Sequence, residues 1–235
     1  MSKRNKQTNR LVREQLAKER RRKRRMWVAI GAVAVLVIAG LVGWGIYANQ
    51  KPTSYATPKH AAGNASGIAV GTGPVVVDVY LDFMCPHCKA FEDEAGPTLK
   101  KLVADNKVTV VNHPVAFLDS ASTTRYSTRS SASSACAADG DKFAEYADAL
   151  FAKQPAEGSA GRSDDELIQI GGSVGLINPA FARCVRDGSY DSWTRHVTDT
   201  AGARGVTGTP TVYVAGHPIQ ASSAAISAAV EAASR

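Results

Sequence analysis

Hydrophobic positions fall into distinct patterns along the chain. Residues 26–50 (MWVAIGAVAVLVIAGLVGWGIYANQ) carry no charge. As a helix, Met26 to Tyr47 would span roughly 33 Å, against a bilayer core of about 30 Å. VVVDVYL (Val75 to Leu81) is a nearly continuous β-branched run, the pattern of a central strand covered on both faces. A helix is expected to begin at the first cysteine and run to about Asn106, with a kink near Gly96-Pro97. KVTVVNH (Lys107 to His113) predicts a second strand. From Thr123 to Arg204 the spacing turns helical, in segments ending at Ala138, then Asp141 to Phe151, Ser163 to Val174, Pro179 to Asp187 and Tyr190 to Ala203. Phe143, Tyr146, Leu150, Phe151, Leu167, Ile170, Phe181 and Trp193 on these helices are expected in the core. TPTVYVAG resumes strand character, HPIQ can pair with it as a hairpin, and Ser222 to Ala233 predicts a closing helix. The order β-α-β, helical block, β-β-α describes an α/β sheet domain with inserted helices. Residues 51–74 show no period and are rich in small residues, which predicts a linker.

Charge changes the picture at the N-terminus. Residues 1–25 hold twelve Lys or Arg against two Glu, whereas the other 210 residues hold sixteen basic and nineteen acidic side chains. The net charge of +7 therefore describes a basic arm on a mildly acidic body, which argues against a basic globular nucleic-acid binder. Trp27 at one end of the apolar run, and Trp44 with Tyr47 at the other, occupy interface positions, and RRRKRR (Arg20 to Arg25) precedes it. The positive-inside rule then predicts a single-pass anchor touching membrane lipid, with the N-terminus cytoplasmic and everything after about residue 50 outside. The run is longer than the apolar region of a cleaved signal peptide, and Ile46-Tyr47-Ala48 is a poor cleavage site.

The four cysteines, Cys85, Cys88, Cys136 and Cys184, all follow that run, in a compartment where disulfides persist. Cys-Pro-His-Cys could hold metal, haem or a disulfide. Zinc usually wants a second close pair of ligands, and attached haem needs His directly after the second Cys, where Lys89 stands. Nothing in the sequence brings His113, His196 or His217 to Cys85 as a protease base. Redox chemistry fits best. Cys85 falls where a strand ends and a helix begins, and free N–H groups and the helix dipole stabilise a thiolate there. Pro86 suits the first helical turn. His87 can add positive charge or a hydrogen bond beside the sulfur. Cys88, one turn on, can resolve a mixed disulfide. A static Cys85–Cys88 staple closes so short a loop that it removes little chain entropy. This chemistry calls for no cofactor and no metal.

CPHC after a buried strand, a helical insertion, then GVTGTPTVYVAG resembles the DsbA-like branch of the thioredoxin superfamily over about residues 74–233. The resemblance implies a thioredoxin fold with an inserted α-helical domain, preceded by one N-terminal transmembrane helix. The boundaries would be a basic arm at 1–25, an anchor at 26–48, a linker at 49–73 and a catalytic domain at 74–235, with the insertion at about 120–204. It implies Cys85 as attacking nucleophile and Cys88 as resolving thiol. Pro210 would be a cis-proline lying against the disulfide, with Thr209 offering backbone bonds to a bound peptide. Cys136 and Cys184 are expected to form a structural disulfide, as in some actinobacterial members; two buried free thiols are the alternative. The implied activity is oxidation of reduced exported proteins by a monomer at a bacterial cell membrane, recharged by a quinone-linked partner of DsbB or VKOR type. An isomerase or reductase on the same fold, a metal or cofactor chaperone, and an anchored sensor are rival readings. Two departures stand out. The buried acid often found six residues before the first cysteine is replaced by Val79, with Asp78 and Asp82 nearby. Thr209 before the proline is also seen in isomerases, where oxidases often carry an apolar residue.

Overall fold

The computed structural model describes residues 26–27, 37–40, 54–62 and 64–235. It divides into two units, Met1–Thr53 and Ser54–Arg235. In the first, residues 26–27 and 37–40 are helical. The expected anchor over 26–48 and the basic arm otherwise lie outside the described residues. Among the described residues no helix is long and apolar enough to cross a membrane.

The second unit runs β1 (Ala61–Ala62), β2 (Gly67–Val70), β3 (Val75–Leu81), α1 (Pro86–Ala104) and β4 (Val108–Pro114). Five helices follow: α2 (Tyr126–Asp139), α3 (Phe143–Ala152), α4 (Asp164–Ser173), α5 (Pro179–Arg186) and α6 (Asp191–Ala203). β5 (Thr211–Val214), β6 (His217–Ile219) and α7 (Ser223–Ala233) close the unit. The strands form one sheet of order β1-β2-β4-β3-β5-β6.

β3 pairs parallel with β4 (Val77 opposite Val110) and antiparallel with β5 (Val79 opposite Val212). Successive side chains of a strand point to opposite faces, yet Val79, Tyr80 and Leu81 are all buried. Both faces are covered at this end, so the sequence shows an apolar run rather than alternation. The parallel pair requires a crossover, and α1 supplies it, running unbroken through Pro97 to Ala104.

α2 is buried along nearly its whole length. Its small Ala and Ser residues let α3, α5 and α6 approach closely. Three of its buried serine hydroxyls donate to backbone carbonyls: Ser130 to Tyr126 at 2.7 Å, Ser133 to Ser130 at 2.8 Å and Ser131 to Pro114 at 2.6 Å. Cys136 on α2 and Cys184 on α5 are joined, with S–S 2.03 Å. The eight apolar residues expected in the insertion core are all buried.

The linker expectation is corrected over residues 54–62 and 64–70, which belong to the domain. β2 pairs antiparallel with β4, Ile68 opposite Asn112 and Val70 opposite Val110. Ile68 is fully buried. A Cβ at Gly67 would lie 2.7 Å from Val111 Cγ1 and 2.9 Å from the Asn112 carbonyl, so the close approach of β2 demands glycine. The segment before β2 is held by side chains of the insertion. Trp193 Nε1 donates to the Ala65 carbonyl at 2.7 Å, and the Lys59 N–H donates to Asp139 at 3.0 Å.

Trp193→Phe keeps an aromatic ring in the core and removes that donor together with part of the buried indole. The expected loss is about 1–2 kcal/mol in urea unfolding, with faster amide exchange at Ile68 to Val70. Unchanged exchange there would show that Trp193 does not hold the segment.

Candidate functional site

The C-terminal end of β3 delivers Asp82 to Cys85 into a tight turn, closed by the Cys85 N–H on the Asp82 carbonyl at 3.0 Å. Cys85 is the N-cap of α1 in extended conformation, and Pro86 takes the first helical position. The N-terminus of α1 thus lies beside the Cys85 sulfur, with the His87 N–H left without a backbone acceptor. Both cysteines are free thiols and buried, Cys85 at 6% exposure and Cys88 at 1%.

The two thiols are driven in opposite directions. The hydrogen bond from Cys88 is the main cause that lowers Cys85, to about 5. Burial opposes it; the Thr209 side chain and the backbone N–H groups of Cys88 and His87 add to it. Cys88 is pushed far up, first by its bond to Cys85 and then by burial. As a thiol, Cys85 donates to the Thr209 carbonyl at 3.5 Å. The Asp82 N–H donates to Cys88 Sγ at 3.4 Å. One sulfur is therefore a stabilised thiolate and the other stays protonated.

Thr209 and Pro210 come from the loop between α6 and β5, and their peptide bond is cis. Pairing of β5 with β3 carries this loop to the CxxC turn. His87, Ala90, Phe91, Glu94, Thr209, Pro210 and Ala221 line an open groove beside it. The His87 side chain is exposed; its contribution to the Cys85 thiolate is through its backbone N–H.

The structure separates the two carboxylates near the motif. Asp78 accepts from Arg204 at 3.1 Å and pairs with His113 at 3.0 Å. Burial pushes its pKa up, but these partners hold it below the usual range. Asp82 is fully buried. Its Oδ1 accepts from the Met84 N–H at 2.9 Å and Ser127 Oγ at 2.7 Å, and its Oδ2 from the Leu118 N–H at 3.0 Å. Burial outweighs these bonds and raises its carboxyl to about 6, with the Cys85 charge adding to the rise. Val79, at the position where the superfamily often has an acid, is buried apolar core. Cys136 and Cys184 lie together in the insertion and not at this site. Sequence reasoning missed Ser127 and Gln154. The latter donates to the Phe83 and Cys85 carbonyls, and no sequence signal points to either residue.

A βαβ unit, a helical insertion and a ββα unit around a polarised CxxC define a thioredoxin-fold dithiol protein. Residues 65–232 match the family model described as thioredoxin, and the chain belongs to that family. It is similar to the reduced disulfide bond oxidoreductase DsbG from Mycobacterium tuberculosis. The identity is 34%, over 73% of this chain and 88% of that one, with a TM-score of 0.64. Oxidised DsbA from the same organism gives 34% identity, 71% and 91% coverage, and a TM-score of 0.63. BdbD from Bacillus subtilis shares the fold at 22% identity, with 76% and 98% coverage and a TM-score of 0.64. A serine/threonine-protein kinase, PknE of M. tuberculosis, is 31% identical over 160 residues; these are 63% of this chain but only 28% of that relative's length. The chain is a protein disulfide oxidoreductase.

The site predicts a redox-specific pH dependence of stability. Folding depresses the Cys85 thiol, so between about 5 and 9 the unfolded reduced chain binds more protons than the folded one. That stabilisation is complete above the ordinary thiol value and lost as pH falls through about 5. Asp82 acts oppositely: its raised carboxyl makes the fold less stable as pH climbs from about 4 to about 6. Oxidised protein lacks the thiol titration. Urea unfolding should show reduced-state stability gaining on oxidised-state stability from pH 5 to 8. A constant difference would contradict the low Cys85 pKa.

Proposed function

We propose that the chain donates its Cys85–Cys88 disulfide to exported proteins outside the cytoplasm, held at the membrane by a single N-terminal span. The observation that carries this reading is the split between the two thiols, which leaves Cys85 as a stable thiolate. Stabilising the thiolate stabilises the reduced form and makes the disulfide a stronger oxidant. The uncharged run after the basic arm supports the anchor, and the relatives named DsbA and DsbG support the reaction class.

In the reaction a substrate thiolate attacks Cys85 Sγ of the disulfide. The Cys85–Cys88 bond breaks, Cys88 leaves and takes up a proton, and a mixed disulfide joins substrate to Cys85. We assign the exchange of that proton to Asp82, the buried carboxyl whose own backbone N–H reaches Cys88 Sγ at 3.4 Å. A second substrate thiolate then attacks the substrate sulfur of the mixed disulfide. Cys85 leaves as a thiolate, and its low pKa makes it a good leaving group. The substrate loses two electrons and the enzyme gains them. A quinone-linked membrane partner of DsbB or VKOR type would accept them and restore the disulfide. Thr209 before Pro210 favours a second reading, an isomerase on the same fold.

Oxidised protein mixed one to one with a reduced, unfolded secreted protein, without another oxidant, should lose its disulfide as the substrate gains one. Cys85→Ser and Cys88→Ser should do neither. Absence of transfer from the wild type, with recovery of a scrambled substrate by the reduced form, would replace donation with isomerisation.

A further inference from the structure

Gln154 follows α3 and reaches out of the helical insertion to the CxxC turn. Its Nε2 donates to the Phe83 carbonyl at 3.1 Å and to the Cys85 carbonyl at 3.0 Å. One side-chain amide therefore spans the turn on both sides of Met84, using both of its N–H bonds. Phe83 is buried at 1% exposure, and burying its carbonyl without a donor would cost free energy. The Cys85 carbonyl also accepts from the Cys88 N–H at 3.0 Å and the Lys89 N–H at 3.2 Å, the first bonds of α1. The next residue is Pro86, so the Cys85–Pro86 peptide has an acceptor and no donor. A second tie runs beside this one: Phe151 on α3 packs its ring 5.0 Å from that of Phe83. Gln154 supplies the polar, directional part of the same bridge.

We propose that Gln154 is a positioning residue for the redox couple, through which the helical insertion sets the stability of the Cys85 thiolate. The turn that Gln154 holds also fixes Cys85 as the N-cap of α1, where the backbone of His87 and Cys88 helps to lower the thiol. The same turn sets the approach of the sulfur to Thr209. Released from Gln154, the turn loses that registry, and the thiolate loses more than the disulfide does, because only the thiolate draws on those donors. The insertion is thereby part of the redox site and not only a wall around it. This inference rests on the proposed role of Cys85 as the thiolate of a reversible couple.

Gln154→Met keeps the length of the side chain and removes both donors. Its expected signature is a Cys85 titration shifted upward, read from thiolate absorbance at 240 nm. The equilibrium with glutathione should move about tenfold toward the oxidised protein, which is about 30 mV. The reduced form should lose more stability to urea than the oxidised form. Gln154→Asn, which keeps the amide but falls one methylene short of the turn, should behave like Gln154→Met; wild-type behaviour of this variant would overturn the directional role. A purely structural Gln154 would lower the stability of both redox states equally and leave the titration and glutathione equilibrium unchanged, and that result overturns the proposal. The wild type measured alongside separates the two readings. If it has no reversible Cys85–Cys88 couple, the proposed function fails and takes this role with it; if it has one and Gln154→Met matches it, only this role fails.

Discussion

A negative charge held on Cys85 while the sulfur one helical turn away keeps its proton is the constraint on which the site depends. A thiolate buried in a protein is costly unless donors replace the water it loses. Here the donors come from three sources: the Cys88 thiol, the N–H groups of the first turn of α1, and Thr209. The arrangement has direction. The same hydrogen bond that lowers Cys85 raises Cys88, so one cysteine is ready to attack or leave and the other stays protonated.

The fold brings these donors together from distant parts of the chain. Parallel pairing of β3 with β4 forces the crossover that places the N-terminus of α1 at the end of β3. Antiparallel pairing of β5 on the other side of β3 returns the Thr209-Pro210 loop to the same edge. The insertion meets them through Ser127 on the Asp82 carboxylate, Gln154 on the turn and Phe151 against Phe83. Burial of Asp82 so close to Cys85 also couples the two charges, because each disfavours the other's ionised form.

The sequence and the structure agree most closely where local chemistry is strong. VVVDVYL is legible because a strand covered on both faces loses alternation, and CPHC because a proline after the first cysteine suits a helix start. The insertion helices follow their apolar spacing to within a few residues. The strands at 61–62 and 67–70 are not legible: Ile68 to Val70 is too short a run to display a period, and its strand character comes from the open edge of β4. The two carboxylates could not be ranked from spacing alone, since Asp78 is claimed by Arg204 and His113, residues 126 and 35 positions away. The sequence points to the ring of His87, whereas its backbone N–H acts on the sulfur. Gln154 stands in a loop with no pattern around it, and only the folded chain shows what it reaches.

In the proposed function the thiolate is favoured strongly enough to make the disulfide an oxidant. The equilibrium reduction potential of Cys85–Cys88, measured against glutathione, tests it most directly. A disulfide donor should show a value toward the oxidising end of the superfamily, about −120 mV. A value near that of thioredoxin, about −270 mV, would contradict it and make reduction the natural direction of this chemistry.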